Sequence, residues 1–162
     1  AKWFNHQYLI KKNNSELAEL YSQFLKEKGI NAELSKVEKI VGLIKERVNF
    51  VHEMWDQSSF FFESPTTYDA TTVQKFWKED TSSIMNEVVE ILNGINPFSA
   101  HEIEEKVKGF INEKGYGMGK VMNALRLSLV GASKGPGVAE ICEIIGKEET
   151  IGRIKKAVLS IK

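Results

Sequence analysis

The stretch Gly115-Tyr116-Gly117-Met118-Gly119-Lys120-Val121-Met122-Asn123-Ala124-Leu125-Arg126-Leu127-Ser128-Leu129-Val130-Gly131-Ala132-Ser133-Lys134-Gly135-Pro136-Gly137-Val138 decides how the chain is read. Val121, Met122, Leu125 and Leu129 recur at helical spacing. The pattern stops at Gly131 and resumes at Val138, Ile141, Cys142 and Ile145. Helix, glycine-rich loop, helix is therefore the expected local architecture. Three glycines and a proline exceed what a simple helix connection needs. Glycine lets a backbone come close to a ligand. Pro136 suits the first turn of the following helix, whose amides have no partner inside the helix. Lys134 lies in the loop and Arg126 in the helix before it. A Walker loop is excluded, because that motif needs G-x-x-x-x-G-K-[ST] after a strand. A Gly/Pro loop between an arginine and a lysine suits unstacked RNA bases. A rigid interhelical turn accounts for the same residues without any ligand.

The rest of the chain repeats the helical period. Leu17, Leu20, Tyr21, Phe24 and Leu25 form one stripe, and Gly29 follows a lysine-rich last turn as a stop. Val37, Ile40, Val41, Ile44, Val48 and Val51 read as the next helix. Met54 to Phe62 is aromatic-dense and less regular. Ile84, Val88, Ile91, Leu92 and Ile95 form another stripe, interrupted by Pro97. Ser99 and Glu102 then fit a capping box that opens a helix through Ile103, Val107, Phe110 and Ile111 to Gly115. Ile151, Ile154 and Val158 mark the last helix. No segment alternates with period two for long. The threonine-rich stretch 66–73 reads as a linker with one extended piece, introduced by Pro65, which disfavours helix before it. The expected fold is all-α: two small helical subdomains in tandem, residues 1–64 and 65–162, with no substantial sheet.

Composition bounds the function. With 162 residues, 42% hydrophobic and 27% charged, the chain can bury a core without metal or disulfide staples. Basic and acidic residues both number 22. A zero balance argues at first against nucleic acid, yet it hides blocks of +3 over residues 1–47, −9 over 48–105 and +6 over 106–162. The basic end suits phosphate, and the acidic middle keeps nucleic acid off another face. Solvated faces without partners are the plain alternative. The single cysteine, Cys142, allows no intrachain disulfide and favours a reducing compartment, hence the cytoplasm. No apolar run approaches a membrane span. The N-terminus shows no signal-peptide pattern and no initiator Met, which suggests an excised or processed chain.

Catalytic groupings are missing. His6, His52 and His101 are scattered, with no His-x-x-x-His or Cys-x-x-Cys spacing, so no metal site is expected. Cys142 falls on an apolar helix face as an inert thiol. Glu104-Glu105 and Glu148-Glu149 are adjacent and splay apart on a helix surface. Phe60-Phe61-Phe62 reads as core packing, with a base-stacking platform as the other reading.

The run from Gly115 through Arg126 to Gly135-Pro136-Gly137-Val138, ending in Ile144-Ile145-Gly146-Lys147-Glu148, resembles the C-terminal anticodon-binding region of bacterial-type glutamyl-tRNA synthetases. Lys2-Trp3-Phe4-Asn5-His6-Gln7-Tyr8-Leu9 is similar to the W-F-N-x-x-Y segment that follows the catalytic half of that family. Leu43-Ile44-Lys45-Glu46-Arg47 is similar to its L-x-x-x-R helix. The resemblance covers essentially the whole chain in order. It implies that Arg126 contacts anticodon bases and that Gly135, Pro136 and Val138 hold the first two anticodon nucleotides, with Ser133, Lys134 and Gly137 as further anticodon-binding residues of the same loop. It also implies that Arg47 senses the third base, which separates glutamate from glutamine tRNAs. The chain departs from the family at Ala124, where proline is frequent, at Val130, where threonine is common, and at Gly135, where a larger residue is frequent.

By the same resemblance the parent is a class I ligase that uses ATP and Mg to join glutamate to its tRNA. The ATP-binding signatures of that class do not occur here, so no cofactor and no catalytic residue are expected in this chain. The implied partners are the anticodon loop of glutamate tRNA and the catalytic half of the same enzyme, with no membrane and a monomeric state. A helical protein-interaction module, or a stand-alone relative without a translational role, is the alternative.

Overall fold

In the computed structural model, residues 13–49 and 51–162 are described. The segment Lys2–Leu9, with His6, lies outside them. Among the described residues there are helices and turns and no strand. The chain divides into two compact units, Ala1–Glu63 and Ser64–Lys162.

The first unit holds α1 (Asn14–Glu27), α2 (Leu34–Ile44) and α3 (Val51–Ser58), with single 3₁₀ turns at Lys45–Arg47 and Ser59–Phe61. Asn13 caps α1, its side chain accepting from the Glu16 amide at 2.8 Å. The chain leaves α1 through Gly29, at φ +83°. α1 packs on α2 through Leu17, Tyr21, Leu25, Ile40 and Ile44, all essentially inaccessible. The buried Tyr21 hydroxyl meets Ser58 Oγ at 2.7 Å, and Ser58 in turn donates to the Met54 carbonyl. Every polar atom in that interior relay therefore has a partner. Desolvation raises the Tyr21 phenol well above its ordinary range.

The continuous helix expected from Val37 to Val51 is instead two helices. α2 tightens into the 3₁₀ turn and the backbone turns extended at Val48, φ −126° and ψ 149°. Val48 remains fully buried, so the apolar spacing runs on through the break. The signal for the restart was Glu53, whose carboxylate accepts from the Asn49 amide at 3.1 Å.

The second unit contains α4 (Ala70–Phe76), α5 (Thr81–Asn93), α6 (Ala100–Lys114), α7 (Met118–Val130), α8 (Val138–Ile145) and α9 (Lys147–Ser160). α5 lies against α6, α7 and α9, and α8 bridges α6 and α9. Met85, Val88, Leu92, Ile103, Ile111, Leu125, Ile141 and Ile154 fill the space between them. Truncating one such side chain to alanine is expected to lose about 2–5 kcal/mol. The serine half of the expected capping box opens α6, with Ser99 Oγ accepting from the Glu102 amide at 3.3 Å.

The extended piece expected within residues 66–73 is corrected: α4 starts at Ala70. Asp69 caps it, Oδ2 accepting from the Thr72 amide at 3.0 Å and from the Thr72 hydroxyl at 2.7 Å. The β-branched threonines masked an Asp-x-x-Thr start.

Candidate nucleic-acid interface

The loop between α7 and α8 is built by its neighbours. α7 ends at Gly131, φ +84°, a left-handed conformation that costs any other residue about 1–2 kcal/mol. A Cβ there would stand 2.6 Å from the Thr67 carbonyl oxygen and 2.8 Å from Pro65 Cβ. The Gly131 carbonyl accepts from the Asp69 amide at 2.8 Å. The segment entering the second unit thus closes over the root of the loop.

Arg126 sits one turn before the end of α7, half-buried. Its Nη1 donates to the carbonyls of Lys134, Gly135 and Pro136, at 3.0, 3.2 and 2.7 Å. Three successive carbonyls therefore turn toward one cation. That fixes the loop's course before any ligand arrives, since a charged donor holds its acceptors more firmly than a neutral one. Gly135, at φ +105°, supplies the backbone geometry this convergence needs. This accounts for a glycine at a position where the resemblance leads one to expect a larger residue.

Ala124, where that family often has proline, is fully buried inside α7 and its carbonyl accepts from Ser128 Oγ at 2.9 Å. Alanine keeps the helix ladder intact up to Arg126, where proline would remove a donor. Val130 is buried at the end of the same helix.

Pro136 and Val138 are buried, whereas Ser133, Lys134 and Gly137 are exposed. Gly137 begins α8 with no side-chain cap bond, and the Glu140 carboxylate folds back toward it, its Oε1 2.7 Å from where a Cβ on Gly137 would stand. The start of α8 borders a cleft of about 570 Å³ that α6 and α7 also bound. Its walls carry His101, Glu104 and Lys108 from α6, and Met122, Asn123 and Arg126 from α7. Lys108 Nζ binds Glu104 at 2.6 Å, and this ion pair holds the Glu104 carboxyl below its usual range. Asn123 Nδ2 is committed to the Gly119 carbonyl at 2.7 Å. The cleft sets Arg126 and Lys108 beside Glu104 and Glu140, around an apolar patch of Met122, Val138 and Ala139 on which a planar base can stack.

The structure brings together Arg126 and loop residues 133–138. Arg47 belongs to the first unit, exposed on the 3₁₀ turn that ends α2. Sequence reasoning missed the α6 wall of the cleft. Its only trace was the spacing of residues 101, 104 and 108, which places all three on one helix face.

His101, Glu102 and Glu105 bring ligand atoms within 4.8 Å of one another on the first two turns of α6. Cys142 is fully buried, and desolvation pushes its thiol up to about 12, so it keeps its proton at neutral pH. No helix among the described residues is long and apolar enough to cross a membrane.

Comparison with known proteins places the chain as a whole. The family model for the anticodon binding domain matches residues 16–158. The chain is 48% identical over 158 residues to a glutamate–tRNA ligase of Porphyromonas gingivalis, covering 98% of this chain and 31% of that protein. It is 50% identical over 160 residues to the glutamate–tRNA ligase of Flavobacterium johnsoniae, covering 99% and 32%. A crystal structure of a glutamate tRNA ligase from Elizabethkingia meningosepticum superposes with a TM-score of 0.94 at 40% identity, over 98% of this chain and 31% of that one. The chain thus spans about a third of the length of the relatives it matches.

Proposed function

This chain belongs to the anticodon binding domain family, and from that premise we propose that it is the anticodon-reading part of a glutamate–tRNA ligase. The observation that carries the proposal is the fixed course of residues 134–136 around Arg126, beside a cleft walled by α6, α7 and the start of α8. A loop that is already ordered loses little entropy on binding, so its backbone groups can discriminate base edges.

In this reading, residues 133–138 hold the first two anticodon nucleotides, and Arg126 both shapes the loop and supplies charge to the site. Arg47 senses the third base, where an arginine donor suits the acceptor edge of cytosine. Lys108 joins the site from α6 as a phosphate contact. The chemistry of the whole enzyme, joining glutamate to tRNA with ATP and Mg, belongs to the remainder of the protein. This chain positions and discriminates the tRNA for it. The partners are glutamate tRNA and that catalytic part, in the cytoplasm, as a monomer.

Titration of the chain with a stem-loop RNA bearing a glutamate anticodon, at two salt concentrations, tests the proposal. The expected result is affinity that falls as salt rises, because phosphate contacts release counterions, and that falls again when the anticodon is scrambled. Binding indifferent to the anticodon would reject it. Glutamate-dependent exchange of pyrophosphate into ATP by this chain alone would contradict the division of labour.

A further inference from the structure

Arg126 organises the middle of the loop, but the root of the loop is held from another helix. Arg153, on α9, is 3% exposed. Its Nη1 donates to the Leu129 carbonyl at 2.7 Å. Leu129 lies in the last turn of α7, where carbonyls have no acceptor role left inside the helix. Arg153 Nε donates to Glu149 at 2.8 Å, and that carboxylate reaches solvent, with a side chain 49% exposed. One turn away on α9, the buried Thr150 hydroxyl donates to the Cys142 carbonyl, at 3.4 Å, near the end of α8. One face of α9 therefore grips both helices that flank the loop.

Burying a guanidinium is costly, and an apolar side chain of similar volume commonly stabilises as well or better. An apolar residue would fill the space, but it would leave the Leu129 carbonyl without a donor. What the arginine adds is a fixed end to α7, three residues beyond Arg126. We propose that Arg153 is a positioning residue for tRNA reading: by binding the last turn of α7 it sets the place from which Arg126 and residues 131–137 meet the anticodon. This rests on the anticodon-reading assignment above.

The test compares the 162-residue chain with Arg153→Met and Ile154→Val. The second variant removes one methyl from the neighbouring core and touches no loop contact. Two readouts are taken at a temperature where each variant is fully folded. One is the NMR amide signals of Gly135 and Gly137. The other is the affinity for two stem-loop RNAs, with a glutamate anticodon and with its first two bases changed. Arg153→Met is expected to shift both glycine signals, to weaken glutamate-anticodon binding about tenfold and to bring the ratio of the two affinities toward one. Ile154→Val is expected to leave signals and ratio alone, and Arg153→Lys, which still offers a donor, to recover most of the loss. A folded Arg153→Met with unmoved glycine signals, or with an unchanged affinity ratio, overturns the proposal. Should that variant fail to fold, Glu149→Ala takes its place at a solvent-reaching position. It is expected to move the same signals and lose about threefold in affinity, and unmoved signals overturn the proposal equally. If the unaltered chain binds neither RNA, the anticodon assignment fails, while the glycine signals still decide whether Arg153 holds the loop.

Discussion

Arg126 and Arg47 are the two arginines assigned to base reading, and their surroundings are opposite. Arg126 is half-buried and committed to three carbonyls of an adjacent loop. Arg47 is exposed on a short turn at the end of α2. The difference teaches that, in the proposed reading, one base-reading element is built by intramolecular contacts, whereas the other is a surface donor placed by its backbone. Changes around Arg126 should therefore disturb fold and recognition together. A change at Arg47 should alter recognition alone.

The largest effect is expected at the root of the prebuilt loop. Gly131→Ala forces a Cβ against the Thr67 carbonyl at a left-handed backbone position. It is expected to lower unfolding free energy by about 2–4 kcal/mol in urea titrations, from backbone strain plus overpacking. A loss below about 0.5 kcal/mol, within the range of an ordinary surface change, would mean that the closure over Gly131 is loose.

Next comes Arg126→Ala, expected to weaken stem-loop binding by about 1–3 kcal/mol and to broaden the amide signals of residues 134–136. Unchanged affinity would remove Arg126 from the site. Arg47→Gln follows. Its stability is expected to stay within about 0.5 kcal/mol of the unaltered chain. In the whole ligase it should raise charging of glutamine tRNA relative to glutamate tRNA. An unmoved ratio of charging efficiencies would end the third-base assignment.

The smallest effect is a dependence on acid. Hydrogen bonds from the Thr72 hydroxyl and amide hold the Asp69 carboxyl below its usual 3.8. The Lys120 ammonium does the same at Asp80, and Lys108 lowers Glu104. A carboxyl lowered in the folded state stabilises fully above its unfolded value, and that stability fades as pH falls through the folded value. Stability should thus hold level from pH 7 to about 5 and drop below about 4. Asp69→Asn keeps a capping side chain without the charge. Its deficit relative to the unaltered chain should shrink over that same acid range, and a constant deficit would show that the charge contributes nothing there.

What was legible in the residues follows from how local the cause was. The stripes of α1, α5, α6, α7 and α8 depend on period alone, and the Ser99 cap depends on residues three apart, so both were readable. The break after Arg47 was not, because Val48 stays buried in extended backbone and continues the apolar spacing. The start of α4 hid behind threonines whose propensity points to strands. The loop itself stood out by its glycines, and its residues were assigned through resemblance. Its shaping by Arg126 carbonyl contacts was not readable, since an arginine's acceptors are set by where the chain returns. Arg153 sits in the charged run Lys147–Lys156 and reads as surface. Only the packing of α9 against α5, α7 and α8 reveals it as interior. The α6 wall of the cleft was hidden for the same tertiary reason.

The contrast between the two arginines is tested most directly by one set of affinities. The chain and its Arg126→Ala variant are each titrated with three stem-loops: a glutamate anticodon, one with the first two bases changed, and one with only the third changed. The account predicts that Arg126→Ala abolishes the preference at the first two positions and keeps the preference at the third. Equal weakening toward all three RNAs would contradict it, because Arg126 would then contribute charge without reading.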